Sequence, residues 1–142
     1  MPIQWTADLA VGIETIDNQH RRLFEIVDGL LEAMQSGKGR QEVSTVVDFL
    51  GQYVHDHFSL EERVMREIGD PSYRVHKAEH EAFVRTFEGL RQAFQDRGAS
   101  SALVIEINHR VCGWLRNHIA RTDMGLAETI AAHGSAPLAL VS

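Results

Sequence analysis

The sequence predicts an all-α protein, an antiparallel up-down-up-down four-helix bundle with a di-metal site near one end. Three observations predict it. Apolar residues recur at three- and four-residue steps through four successive runs, short Gly-, Pro- or Ser-containing segments separate those runs, and 142 residues suit a single domain. Short loops between long helices make consecutive helices antiparallel neighbours.

The first run extends from about Ile13 to Gln35 and carries Ile16, His20, Leu23, Phe24, Val27, Leu30, Leu31 and Met34 on one stripe. Ser36-Gly37-Lys38-Gly39 ends it. The second, from about Gln41 to Ile68, places Val43, Val47, Leu50, Val54, His57, Glu61, Val64 and Met65 on a similar stripe, and Gly69 closes it. Asp70 is the expected cap of the third run, with Pro71 in the first turn. Val75, His76, Phe83, Phe87, Leu90 and Phe94 then lead to Arg97-Gly98. Ser100 is the expected cap of the fourth, in which Leu103, Ile107, Val111, Trp114, Leu115, His118 and Ile119 continue to about Arg121. The bundle with its N-terminal arm is expected over residues 1–125. Residues 126–142 read as a short tail, helical or disordered in part.

Composition excludes several classes. A net charge of −6 with no basic cluster argues against nucleic acid or an anionic membrane as partner. No apolar run is long enough to span a bilayer, and the opening residues lack the regions of a signal peptide. The single cysteine, Cys112, forms no internal disulfide and reads as a buried inert thiol. These features place the protein in the cytoplasm.

The chemistry lies in His20, His57-x-x-x-Glu61, His76-x-x-x-His80 and His118-x-x-x-x-Asp123. His20 and His76/His80 open the first and third runs, while His57/Glu61 and His118 close the second and fourth, so alternating direction puts all of them at one end. Positions four apart differ by about 40° around an α-helix, so each His57/Glu61 and His76/His80 pair faces one way, along the apolar stripe. Asp123 lies about 140° from His118 in a regular helix. A π-type widening or a helix end between them is therefore required for both to face the same point. Burying five imidazoles and two carboxylates without compensation would cost several kcal/mol per unpaired ionised group, and metal cations remove that cost. His55, His109 and His133 are out of phase with the ligands or in the tail, and read as solvated. Glu25, Asp28 and Glu32 read as a solvated helix face.

Seven such groups are too many for one tetrahedral zinc and too rich in nitrogen for calcium or magnesium. They suit a pair of five- or six-coordinate transition ions. If Glu61 and Asp123 bridge the pair, the histidines split three and two, and the position left open would take a small molecule.

The chain resembles the hemerythrin family, the single-domain bacterial members in particular, over about residues 5–125. The resemblance rests on Trp5, the segment from Gly12 to His20, His57-Phe58-Ser59-Leu60-Glu61, His76-Lys77-Ala78-Glu79-His80 and His118-Ile119-Ala120-Arg121-Thr122-Asp123. It implies two non-haem iron ions bridged by Glu61, Asp123 and an oxo or hydroxo group. His76, His80 and His118 would hold the filled iron, and His20 and His57 the open one. Leu23, Phe58, Trp114, Leu115 and Ile119 fall at positions similar to those lining the family's oxygen pocket. The implied function is reversible dioxygen binding for storage, delivery or buffering, without enzymatic turnover, with an oxygen-consuming enzyme as a recipient. The alternative is a di-iron redox enzyme reducing peroxide or nitric oxide, or a sensor, built on the same site.

Overall fold

The computed structural model describes residues 4–134 together with Pro137 and Leu140. Four helices dominate: α1 (Glu14–Gln35), α2 (Arg40–Ile68), α3 (Tyr73–Arg97) and α4 (residues 101–133). α1 packs on α2 and α4, and α3 packs on α2 and α4, which closes the antiparallel ring. At about 1.5 Å per residue the first three helices are about 33–44 Å long. No described helix is long and apolar enough to cross a membrane.

The helix stops are set by local chemistry. Gly69, at φ 66°, takes the left-handed conformation that other residues resist, and Asp70 N–H then reaches back to the Met65 carbonyl at 2.9 Å. Gly37, at φ 73°, ends α1 in the same manner, with Lys38 N–H bonded to the Ala33 carbonyl. Ser100 caps α4 as expected, its hydroxyl accepting from Leu103 N–H at 3.1 Å. The start of α3 differs from the sequence reading. Asp70 accepts from the backbone and hydroxyl of Ser72, at 2.8 and 2.7 Å, and so forms a turn ahead of the helix, which begins only at Tyr73.

α4 is continuous in space but irregular: α over Ser101–Ile107, π over Asn108–Cys112, α over Gly113–Asn117, π over His118–Asp123 and α over Met124–His133. The second π segment is the widening that Asp123 required; the first was not foreseen. The helix also runs past the expected stop near Arg121. Leu126, Ala127 and Ile130 are buried, and Met124–His133 packs on α2, so this part of the expected tail belongs to the bundle. Of the remaining tail, residues 135, 136, 138, 139, 141 and 142 lie outside the described residues.

Leu23, Phe24, Val27, Leu50, Val64, Met65, Phe83 and Ile119 are at most 1% exposed and form the core between the four helices. Each such side chain contributes about 1.5–3 kcal/mol by leaving water. At one end the N-terminal arm folds back, and the buried Asp17 carboxylate accepts from Val11 N–H at 2.8 Å and Gly12 N–H at 3.3 Å. That bond anchors the arm one turn before His20.

Because Leu126 is 2% exposed, Leu126→Ala is expected to lower stability by about 2–5 kcal/mol in chemical denaturation of the metal-free protein. An unchanged midpoint would mean that the last segment of α4 is not packed on the bundle.

Candidate metal centre

Each helix delivers its share of polar groups at one height. His20 comes from the second turn of α1, His57 and Glu61 from late α2, His76 and His80 from the first turns of α3, and His118 and Asp123 from the two ends of the second π segment. All seven are at most 4% exposed. In a π segment residue i+5 returns above residue i, which lets Asp123 Oδ1 approach His118 Nε2 at 3.1 Å.

Two overlapping groups result, each with donor atoms within 4.8 Å of one another: Glu61, His76, His80, His118 and Asp123, and His20, His57, Glu61 and Asp123. Both contain the same two carboxylates. Asp123 Oδ1 lies 3.1 Å from Nε2 of both His76 and His118, while its Oδ2 lies 3.0 Å from His20 Nε2. Glu61 Oε1 stands 3.2 Å from His80 Nε2 and 3.5 Å from His57 Nε2. The Nε2 atom of His118 sits 3.1 Å from that of His76 and 3.2 Å from that of His80.

Proximity here is not ordinary hydrogen bonding. Both oxygens of Glu61 and of Asp123, Nε2 of His57 and both ring nitrogens of His20 are buried without a hydrogen-bond partner among the described residues, despite these short separations. Leaving buried polar atoms unsatisfied costs about 1–3 kcal/mol each, more when charged. Lone pairs that point to a common centre rather than at each other are what a cation needs. Metal–nitrogen bonds of about 2.1 Å set at right angles put two nitrogens about 3 Å apart, close to the separations among His76, His80 and His118. The donor set, five imidazoles and two carboxylates, fits a non-haem iron site.

The outer nitrogens fix which ring atom faces inward. Nδ1–H of His57 donates to Gln19 Oε1 at 2.6 Å, that of His80 to Glu62 Oε2 at 2.9 Å, and that of His118 to Glu79 Oε1 at 3.1 Å. Thr122 in turn donates its hydroxyl to Glu79 at 2.9 Å. With Nδ1 protonated, Nε2 carries the lone pair that a metal binds. Burial drives His57 down to about 3 and His80 down to about 2, helped by the neighbouring imidazoles, so both stay neutral near pH 7. Burial also opposes charge on His118, but the Asp123 and Glu79 carboxylates outweigh it and raise its pKa. Glu61 is held well above the usual carboxylate range by burial and then by Asp123. For Asp123 burial acts upward, yet the close imidazole rings of His118, His20 and His76 outweigh it and hold the carboxyl well below that range.

Aromatic rings cover the three-histidine group. Phe58 stacks on His80 with centroids 3.8 Å apart, and Trp114 stacks on His118 at 4.3 Å. Phe83, which the sequence marks only as part of the apolar stripe of α3, packs on Trp114 at 4.4 Å and on Phe58 at 5.8 Å. Leu23, Leu115 and Ile119 are buried in the same core, and Trp114 is half-buried. His55, His109 and His133 are exposed, as their phase or place in the tail indicated. Cys112 is buried and its thiol is pushed up to about 11 by that burial, which leaves it inert. The outer partners Gln19, Glu62, Glu79 and Thr122 were missed. Their only signal was position beside or one turn from a ligand candidate.

The family model for the hemerythrin HHE cation-binding domain matches residues 11–130. A bacteriohemerythrin of Stenotrophomonas maltophilia is 36% identical over 129 residues, which covers 91% of this chain and 82% of that protein. A bacteriohemerythrin of Methylococcus capsulatus is 34% identical over 121 residues, covering 84% and 89%. A crystal structure of wild-type hemerythrin superposes with a TM-score of 0.80 at 28% identity, covering 92% of this chain and 99% of that one.

Ferrous ion added anaerobically to the metal-free protein is expected to raise the melting temperature. A concentration 100-fold above the dissociation constant contributes about 2.7 kcal/mol, or roughly 5–10 °C for a chain of this size. Glu61→Gln is expected to melt no lower than wild type when metal-free, since it removes a buried ionisable group, and to lose much of the ferrous-dependent rise. A melting temperature indifferent to ferrous ion in the wild type would mean that the cluster does not bind ferrous ion.

Proposed function

The chain belongs to the hemerythrin family, and from that premise we propose that it binds dioxygen reversibly at two non-haem irons held by these seven residues. The observation that carries the reading is the sharing of Glu61 and Asp123 between a three-histidine and a two-histidine group. His76, His80 and His118 would hold one ion and His20 and His57 the other, with Glu61 and Asp123 shared between them. The two oxygens of Asp123, one towards His76 and His118 and the other towards His20, support that bridging role. The two-histidine side is one nitrogen short, and that is where dioxygen would be taken up. Ferrous ions, when bound, would supply the electrons through which dioxygen is held.

The protein's own residues do the rest. His57, kept neutral by burial, offers Nε2 without first losing a proton. Gln19, Glu62 and Glu79 hold three of the five rings in orientation. Leu23, Phe58, Leu115 and Ile119, all buried, exclude water, and Trp114 shields the His118 ring. Excluding water and its protons favours release of intact dioxygen over irreversible oxidation. The reading extends to storage, delivery or buffering of oxygen in the cytoplasm, with an oxygen-consuming enzyme as recipient.

The test is anaerobic iron loading followed by repeated exposure to and removal of oxygen. Two irons per chain and a visible absorption band that rises and vanishes through several cycles are expected; a one-way change would instead mark a redox enzyme or sensor. His118→Ala is expected to lose the second iron or the reversible band, and full oxygenation of that variant would refute its role. Leu115→Ala and Trp114→Ala are expected to keep both irons and to oxidise faster in air. Equal rates in both variants and wild type would remove them from the pocket wall.

A further inference from the structure

The outer partners of the two histidine groups differ in charge. In the three-histidine group, His80 and His118 each donate Nδ1–H to a carboxylate, Glu62 and Glu79. In the two-histidine group, His57 donates to the neutral amide of Gln19, and Nδ1 of His20 is buried without a partner among the described residues. A carboxylate acceptor draws the imidazole proton towards itself and makes Nε2 a stronger donor to a metal; an amide does so far less. The side chains of Glu62 and Glu79 are 17% and 38% exposed, so neither is a buried group needing a partner for its own sake. Thr122 donates to both oxygens of Glu79, at 2.9 and 3.2 Å, and fixes that carboxylate against His118.

We infer that Glu62 and Glu79 are positioning residues that act through His80 and His118 to bias the three-histidine ion towards the ferric state, while Gln19 leaves the two-histidine ion more ferrous. The inference rests on the two-iron reading above. Negative charge on the outer face of two ligands stabilises the higher oxidation state and lowers the reduction potential of that ion. The two ions then differ in potential although they share Glu61 and Asp123. The ion with the open position would then give up its electron less readily than its neighbour.

The experiment is a potentiometric titration of the iron-loaded protein, with Mössbauer spectra assigning each ion. It compares wild type with Glu62→Gln, Glu79→Gln, Thr122→Val and Gln19→Glu. Glutamine keeps an acceptor oxygen for Nδ1–H, so a purely structural role predicts no change. Glu62→Gln and Glu79→Gln are each expected to move the three-histidine ion at least tenfold towards ferrous at fixed potential, a rise of 59 mV for one electron. Thr122→Val is expected to give a smaller rise, and Gln19→Glu a fall at the two-histidine ion. Unshifted potentials in glutamine variants that still load two irons overturn the inference and leave the oxygen-binding reading standing. The expected shifts in a protein that never oxygenates reversibly would sustain the inference and overturn that reading.

Discussion

The structure depends on one electrostatic constraint: seven donor groups, two of them carboxylates, are buried together with their lone pairs facing a common centre. Both oxygens of Glu61 and of Asp123 lack a hydrogen-bond partner among the described residues. Groups in that position are costly in a low-dielectric interior unless a cation compensates them. In the metal-free protein burial and the neighbouring Asp123 push Glu61 well above the ordinary carboxylate range, while the surrounding imidazoles hold Asp123 well below it. The apolar core along the rest of the bundle supplies the burial energy against which this end can be kept polar.

Helix direction is the device that assembles the donors. Donor groups near the start of α1 and α3 meet donor groups near the end of α2 and α4 because the bundle alternates, and so the fold and the site are legible in the same pattern. His20, His57, Glu61, His76, His80 and His118 could be placed together from sequence alone. Asp123 could be placed only on condition that the helix widen, and the π segment His118–Asp123 meets that condition. The hydrogen-bond acceptors behind the histidines were not legible. Glu62 and Glu79 are ordinary helix-surface glutamates by periodicity, and only the packing of α2 against α3 and of α3 against α4 turns them towards His80 and His118. Asp17 was hidden for a similar reason: an acidic residue in a first helical turn is common, and its bonds to Val11 and Gly12 need the arm to fold back. Asp70 was misread because an aspartate before proline suits both a cap and a free-standing turn.

The irregularity of α4 has a sequence cause that extends beyond the metal centre. Leu103, Ile107, Val111, Leu115, Ile119, Asp123 and Ala127 are all buried and recur at a strict spacing of four. In a regular α-helix each such step drifts by about 40°, so six steps would carry the stripe about 240° around the axis. The last members would then face solvent. A helix that keeps this stripe inward must average four residues per turn, and mixing α turns with wider π turns achieves it. Both π segments lie within the span of the stripe, at Asn108–Cys112 and His118–Asp123. The first contributes none of the seven donor residues, yet it takes up drift before Leu115 and His118 are reached, so that the second can present His118 and Asp123 to the same centre. The burial pattern of α4 and the requirement of its last ligand are therefore met by one distortion used twice. The strict four-residue spacing is the sequence feature that calls for both.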